Sequence, residues 1–309
     1  MAWVFTASFG VMMLTQLLGW TGWNLVYVLQ ALTLVMAAPG AVIAVVSAGT
    51  GRYPLATVNA MLIIGVLVLA APVVFHGDPP EPGDAAPRVA VLFANTYYEN
   101  PSTDRAAAMV LAGDADVIGL VEFTPQMAAA LDRAGINQRY PNRVGGTSFT
   151  RDGVVLFSRY RVLSSEHVTV GNAPGIDAVL DVDGAPLRVL VIHPLTAMSQ
   201  TDVSSWRQDL ATIGDVLVDA GEPTIVIGDF NAARWHPAFR EILGGDVHDV
   251  HEWLGHGFST SWPSDGWMPP FVRIDHALVT AGATPVAIRD VETPGSDHRS
   301  FVVTIAVKP

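Results

Sequence analysis

The distribution of charged residues constrains the fold of this chain more than any other feature of its sequence. Residues 1–77 contain one basic residue, Arg52, and no acidic residue, whereas the remainder contains all 29 Asp and Glu residues. Helices of about 20 apolar residues are needed to cross the hydrocarbon core of a bilayer. The uncharged part therefore predicts a membrane anchor with three spans, which correspond to the apolar stretches 2–18, 25–48 and 57–75.

The number of spans decides on which side of the membrane the rest of the chain lies. With three spans, the N-terminus and the loop that carries Arg52 share one side, and the C-terminal part lies on the other. The positive-inside rule places Arg52 in the cytoplasm, so we expect a multi-pass protein of the cell membrane with an extracytoplasmic domain. Two spans would reverse this orientation. A signal peptide is the alternative for the first stretch, which lacks a basic n-region and a clear cleavage site.

Composition divides the chain into three parts. Residues 1–76 form the predicted anchor, residues 77–87 a Pro-rich acidic linker, and residues 88–309 a polar domain. Arg52 is the only one of the 17 Lys and Arg residues before the linker, so the rest of the chain has 16 basic and 29 acidic residues, a net charge of −13. This charge disfavours indiscriminate binding to nucleic acid. The absence of Cys excludes disulfides and cysteine nucleophiles.

The polar domain has the pattern of short buried strands that alternate with amphipathic helices. The pair Asp183-Gly184 between two apolar runs predicts a hairpin. Antiparallel or mixed sheets with helices outside them, an α+β fold, are therefore expected. The predicted strands are 88–94, 117–121, 153–157, 178–182, 187–192, 224–227, 271–279, 284–290 and 300–307, and the predicted helices are 102–112, 125–134 and 201–220.

Polar residues occur where these strands end or begin. Asp275 lies inside the predicted strand 271–279, where an unpaired carboxylate is costly. Each of the other residues, taken alone, also fits a turn or a helix start. Their joint occurrence favours one shared site at the rim of a sheet. The residues are Asn95, Glu122, His193, Asp229, Asn231, Asp297 and His298.

These motifs resemble those of the endonuclease/exonuclease/phosphatase superfamily, also called the DNase I-like fold. The resemblance implies a four-layered αββα sandwich, here preceded by transmembrane helices as in a membrane-anchored bacterial-type member. It also implies metal-dependent hydrolysis of phosphoester bonds, with Mg²⁺ as the cofactor and Mn²⁺ as the alternative ion. It covers residues 88–309 and is carried by Asn95, Leu120-Val121-Glu122, Val191-Ile192-His193-Pro194, Val226-Ile227-Gly228-Asp229-Phe230-Asn231, Arg273-Ile274-Asp275-His276 and Gly295-Ser296-Asp297-His298.

The resemblance implies a metal site around Glu122. Glu122 offers a hard carboxylate oxygen of the kind that Mg²⁺ prefers, with Asn95 beside it and Asp297 as a second candidate ligand. Thr96 and Tyr97 stand where several nuclease branches of the family carry a further acidic ligand. Metal binding is therefore expected to depend on Glu122 and Asp297, or to involve a single ion.

The resemblance further assigns the catalytic roles. Asp229 matches the position that orients or deprotonates the attacking water, while His193 and Asn231 match positions that hydrogen-bond phosphoryl oxygens. Asp275 is expected to fix the tautomer of His298 and to favour its cation. His298 then stabilises the pentavalent phosphorus or transfers a proton. Whether Asp229 or His298 is the general base stays open at this point.

The expected partners are the lipid bilayer and a phosphoester substrate, which is a nucleic acid, a phospholipid or a small phosphate ester; no obligate protein partner is inferred. A lipid or inositol phosphate phosphoesterase and a non-catalytic scaffold that retains the fold are the alternatives. Transport is disfavoured because the spans lack charged residues, and the membrane part is interpreted as an anchor. A run of arginines fits either a polyanion contact or a solvated strand edge: Arg143, Arg151, Arg159 and Arg161.

Overall fold

Four apolar helices precede the sheets of the polar domain. The computed structural model describes residues 1–83, 85–198 and 200–308; Asp84 of the predicted linker, Ser199, and Pro309 of the predicted domain lie outside the described residues, as do the side chains of Gln200 and Thr201. The apolar helices are α1 (Ala2–Leu17), α2 (Asn24–Ala31), α3 (Thr33–Gly49) and α4 (Tyr53–Val74).

Only part of the predicted membrane anchor has the length of a span. Among the described residues, α4 alone is long and apolar enough to cross a membrane by itself. α2 and α3 are bent by 72° at their junction and amount to a second span only if the pair is counted as one, and α1 is shorter. Length and composition thus support one or two spans, whereas the sequence predicts three.

Helices α1 and α4 run in the same direction between the two ends of the apolar part. At one end, Met1 and Arg52 line a shared cavity. At the other end, Arg240 Nη1 donates to Gln16 Oε1 at 2.7 Å, and Val73 packs against Trp235. The N-terminus and Arg52 therefore lie together, and the polar domain lies against the opposite end.

The polar domain contains two six-stranded sheets. In spatial order the first sheet is β11-β12-β1-β2-β4-β3 and the second is β5-β6-β7-β8-β10-β9, when the strands are numbered along the chain. The strands are β1 (Arg88–Asn95), β2 (Val117–Val121), β3 (Asn142–Gly146), β4 (Val154–Ser158), β5 (Arg161–Val170), β6 (Ala173–Val182), β7 (Ala185–Ile192), β8 (Thr224–Asp229), β9 (His248–Asp249), β10 (Asp275–Val279), β11 (Ala283–Glu292) and β12 (Arg299–Val307).

The two sheets pack face to face, and helices cover their outer faces. Val91 and Phe93 of β1 contribute to the same buried core as Val191 of β7 and Ile227 of β8. Two clusters on the outer faces bury one side of the covering helices. This arrangement confirms the predicted α+β two-sheet sandwich. The helices are α5 (Thr103–Ala112), α6 (Pro125–Arg133), α7 (Ile136–Arg139), α8 (Gln200–Val218), α9 (Pro237–Ile242) and α10 (Val250–Trp253).

The predicted hairpin is confirmed, and three edge strands were not predicted. Asp183 and Gly184 both have positive φ, 51° and 92°, in the tight turn between β6 and β7. The sequence did not predict β3, β5 and β9 because they lie at sheet edges and lack a continuous buried apolar run. β10 begins at Asp275 and not at residue 271 as predicted, so Asp275 also stands at a strand end.

Gly153 closes the loop next to the end of β2. Its carbonyl oxygen accepts a hydrogen bond from Phe123 N at 3.0 Å. A Cβ at Gly153 would overlap the carbonyl oxygen of Phe123, which is backbone and cannot swing aside. This close approach fixes the backbone that follows Glu122.

We expect Gly153→Ala to destabilise the fold by about 1–3 kcal/mol, the usual cost of overpacking. The midpoint of thermal unfolding of the purified full chain measures this effect. Gly146→Ala is the matched control, since a Cβ there meets nothing within 4 Å. Equal midpoints for the two variants would contradict the close approach.

Candidate active site

The ends of the central strands meet at one edge of the sandwich. β1 and β2 are parallel neighbours in one sheet, and β7 and β8 are parallel neighbours in the other. Their carboxyl ends therefore present side chains at the same edge. In the second sheet, Asp275 of β10 lies directly opposite Asp229 of β8. The structure thus brings Asn95, Glu122, His193, Asp229, Asn231, Asp275, Asp297 and His298 to one place, and six of them line a single cavity: Glu122, His193, Asp229, Asn231, Asp297 and His298.

Asp229 stands between two imidazoles at the centre of the site. Its Oδ2 lies 3.6 Å from His193 Nε2 and 3.6 Å from His298 Nε2. The same oxygen accepts a hydrogen bond from Asn95 Nδ2 at 3.0 Å, and Oδ1 accepts one from the backbone N–H of Asn231 at 2.9 Å. These donors satisfy both oxygens of the carboxyl group at a buried position.

Asn95 joins the two sheets by donating to a carboxylate from each. Its Nδ2 is 3.3 Å from Glu122 Oε1 and 3.0 Å from Asp229 Oδ2. Its Oδ1 accepts from the backbone N–H of Tyr97 at 3.0 Å. In this orientation Asn95 Nδ2 links the two carboxylates, and its Oδ1 already accepts one backbone N–H.

His298 is held as a cation by the acidic groups around it. Its Nδ1 is 2.9 Å from Asp275 Oδ2, and its Nε2 is 3.8 Å from Asp297 Oδ1. Burial disfavours the imidazolium, but Asp275, Asp229 and Asp297 together outweigh burial and raise the pKa of His298 to about 10. His298 is therefore protonated at neutral pH, with Nδ1–H donating to Asp275.

The ring of His193 has a fixed orientation. Its Nδ1 donates to the carbonyl oxygen of Arg151 at 3.1 Å, which turns Nε2 toward Asp229 and, at 3.8 Å, toward Glu122 Oε1. Asn231 Nδ2 donates to the carbonyl oxygen of Pro194 at 2.9 Å. The residues that follow β7 and β8 therefore stabilise each other.

Backbone strain is concentrated at this edge. Three of the five described non-glycine residues with positive φ lie here: Tyr97 at 56°, Glu122 at 51° and Asn231 at 47°. Such conformations cost roughly 1–3 kcal/mol each and persist where the surroundings enforce them. Glu122 is held by the backbone N–H of Tyr98, which donates to its Oε2 at 2.9 Å.

The donor set at the mouth of the site fits a hard divalent cation. Asp297 Oδ2 accepts from Trp262 Nε1 at 3.1 Å, whereas Asp297 Oδ1 is buried without a hydrogen-bond partner. Glu122 Oε1 is contacted at hydrogen-bond distance by Asn95 alone among the described residues. A buried acceptor without a donor is costly, and a cation held by these carboxylate oxygens would satisfy it.

A second cluster of possible metal ligands lies among more deeply buried residues of the site. Ligand atoms of Asp229, Asp275 and His298 all lie within 4.8 Å of one another. The hydrogen bond between His298 Nδ1 and Asp275 Oδ2 explains this proximity without a metal. The oxygens of Glu122 and Asp297 are therefore the better candidates for metal binding.

Sequence reasoning missed a wall of the site that comes from the apolar helices. Tyr27 of α2 donates from its hydroxyl to the carbonyl oxygen of Asn231 at 2.7 Å. Val28, Ala31 and Leu32 line the same cavity as Glu122 and Asp229. The only available signal was an aromatic residue at the border of an apolar stretch, which also suits a membrane interface. The first part of the chain therefore contributes to the candidate site.

The arginine run separates into different environments. Arg151 lines the cavity and stacks over the Tyr98 ring at 5.3 Å. Arg159 pairs with Asp114 and Asp116, and Arg161 pairs with Asp181. Arg151 is thus the member of the run that is positioned to meet a substrate.

Comparison with known proteins identifies the class. The fold and the cluster of carboxylates and imidazoles are those of a two-sheet phosphoesterase-type sandwich, and residues 92–298 match the Endonuclease/Exonuclease/phosphatase family. The chain belongs to this family. No curated protein sequence matches the chain.

Solved structures show the same fold at low sequence identity. Humanized D. rerio TDP2 is similar with a TM-score of 0.62 and 18% identity, over 71% of this chain and 99% of that one. D. rerio TDP2 complexed with single strand DNA product gives a TM-score of 0.61 with the same identity and coverage. The endonuclease/exonuclease/phosphatase from Bacteroides vulgatus gives 0.59 and 18% identity, over 72% of this chain and 99% of that one.

The protonation of His298 should depend on its hydrogen bond to Asp275. In Asp275→Asn the pKa of His298 should fall from about 10 toward or below the ordinary value of about 6.5, because one charge and one charged hydrogen bond are lost while burial remains. NMR titration of the full chain with labelled histidine measures this pKa. Asp219→Asn removes an exposed charge beyond the far end of α8 and should leave the pKa unchanged. A His298 pKa that is equal in both variants would contradict the assigned pairing.

Proposed function

We propose that this chain is a membrane-anchored, divalent-metal-dependent hydrolase of phosphoester bonds. One observation carries the proposal: Asp229 lies 3.6 Å from the Nε2 atoms of both His193 and His298, in a cavity that also contains Glu122 and Asp297. Hydrolysis at phosphorus requires an acceptor for the proton of water, donors for the phosphoryl oxygens and carboxylates for a metal.

The assignment of the general base follows from protonation. His298 is a cation at neutral pH and cannot take up a further proton, so the role falls to Asp229. Water attacks phosphorus, a new P–O bond forms, and the water proton passes to Asp229. The P–O bond to the leaving group breaks, and the leaving oxygen takes up a proton from solvent.

The remaining side chains bind the developing charge on the phosphoryl group. His298 donates from Nε2 to a phosphoryl oxygen, with Asp275 holding its Nδ1. The His193 ring and the second N–H of Asn231 Nδ2 act on the other oxygens. Glu122 and Asp297 would hold the cation, which neutralises phosphate charge when bound.

The membrane placement is also proposed. α4 has the length and apolarity of a span, and the polar domain lies at the end of the helices opposite to Arg52. The positive-inside rule then places Arg52 in the cytoplasm and the catalytic domain, residues 88–309, outside. The shared direction of α1 and α4, which both run from the Arg52 end to the polar domain, supports an odd number of crossings. α1 and the bent α2–α3 pair would be the other two.

Loss of the base should abolish turnover while the fold persists. We expect Asp229→Asn to lower kcat for bis(p-nitrophenyl) phosphate by about 10²–10⁴-fold, the usual contribution of a general base. The asparagine oxygen still accepts from Asn231 N–H, so the fold should remain. Asp219→Asn, which is remote from the site, is the control. Parental activity in the Asp229 variant would refute the assigned role.

Removal of a metal ligand should weaken ion binding. Glu122→Gln and Asp297→Asn should each raise the dissociation constant for Mn²⁺ at least about tenfold. Mutation of a residue that only hydrogen-bonds to a metal ligand already lowers metal affinity by about this factor. Electron paramagnetic resonance of free Mn²⁺ measures binding independently of activity. Unchanged Mn²⁺ affinity in both variants would place the ion elsewhere.

A further inference from the structure

Much of the lining of the candidate catalytic cavity is apolar. The cavity has a volume of about 610 Å³ and contains the carboxylates and imidazoles of the site. Val28 and Ala31 of α2, and Leu32 directly after it, also line the cavity, as do Phe271 and Ile274. A small hydrophilic phosphate ester needs no such surface.

Hydrogen bonds and ring stacking fix α2 next to the site. His236 Nδ1 accepts from the backbone N–H of Ala233 at 2.8 Å, so Nε2 carries the proton and donates to the carbonyl oxygen of Tyr27 at 2.9 Å. The Tyr27 and His236 rings stack with centroids 4.7 Å apart. Asn24 Nδ2 also donates to the carbonyl oxygen of Met198 at 3.2 Å. These contacts hold α2 against the catalytic residues.

The loops around the cavity expose large apolar side chains to the outside. Trp267 is 93% exposed and Met198 is 63% exposed. In the described part of residues 88–308, five of the eight exposed large apolar side chains lie on these loops. Exposed apolar patches of this kind mark binding or membrane-contact surfaces. The five are Phe149, Leu195, Met198, Trp267 and Met268.

Charge disfavours a polyanionic substrate. Arg151 is the only Lys or Arg among the described residues that line the cavity, whereas five acidic residues line it. A nucleic acid requires basic surface along its backbone. A single phosphate group attached to an apolar body fits this distribution better.

We propose that the substrate is a phosphoester lipid of the bilayer that holds α4. The lipid phosphate lies at Asp229 and His298, and its apolar chain lies along Val28 of α2 and Leu32 at the end of this helix. The exposed apolar side chains on the loops around the cavity contact the membrane surface. The lipid can then enter the cavity without full transfer through water. This inference rests on the proposed hydrolase function and names its substrate class.

The test uses the full chain in phospholipid nanodiscs with Mg²⁺ and esters that differ only in their apolar chain. Methyl, hexyl and octyl p-nitrophenyl phosphate share the reacting phosphorus and the leaving group. Burial of two methylene groups is worth about tenfold in binding, so kcat/KM should rise by at least about tenfold from methyl to octyl. Hexadecyl p-nitrophenyl phosphate in phosphatidylcholine vesicles should also be hydrolysed, which identifies the bilayer as the source.

Variants on α2 and on a loop at the cavity show where the apolar chain of the ester binds. Val28→Asn and Met198→Gln should each lower the octyl-to-methyl ratio of kcat/KM at least about threefold, because burial of one methylene corresponds to a factor of about 3–4. Both side chains are partly exposed, so the fold should tolerate the changes. Leu25→Asn is the matched control on the same helix, because Leu25 is exposed outside the cavity.

The outcomes separate the two proposals. Turnover that does not depend on chain length, or variants that leave the ratio unchanged, would overturn the lipid assignment while phosphoester hydrolysis stands. Faster hydrolysis of an oligonucleotide than of the hexadecyl ester would assign a nucleic acid instead. Absence of turnover with every ester would overturn the hydrolase function itself.

Discussion

The pairing of β8 with β10 is the constraint on which the site depends. It places Asp229 and Asp275 side by side, both buried, and two buried carboxylates at this separation require compensation. His298 provides it by contacting Asp275 through Nδ1 and facing Asp229 through Nε2. The cation that lowers the cost of the two acids is the same group that a phosphoryl oxygen needs. The same contacts of His298 with Asp275 and Asp229 therefore stabilise the fold and prepare the site for a phosphoryl group.

A second dependence links the apolar helices to the catalytic groups. Burial lowers the pKa of His236 to about 4, so this imidazole stays neutral and holds Tyr27 by a hydrogen bond and by stacking. Tyr27 in turn donates to the carbonyl oxygen of Asn231. Helix α2 therefore supports the backbone of Asn231, while residues next to Tyr27 form part of the cavity wall. A soluble fragment without this helix would lack both features.

Much of the fold and of the site could be predicted from sequence, for physical reasons. Buried central strands such as β1 and β8 leave continuous apolar runs, and polar residues at their ends are conspicuous. The edge strand β5 leaves no such pattern because its side chains face solvent on both sides. The docking of Tyr27 was beyond prediction, since it depends on a contact between residues 27 and 231 that no local pattern encodes. The orientation of Asn95 depends equally on its partners in the folded chain.

Hydrolysis in water enriched with ¹⁸O tests the central account most directly. The full chain, with Mg²⁺ and octyl p-nitrophenyl phosphate, should release p-nitrophenol without label and octyl phosphate with one ¹⁸O, as measured by mass spectrometry. His298→Ala should form almost none of the labelled product. Label in the phenol, or label-free octyl phosphate, would show that water does not attack phosphorus and would contradict the mechanism.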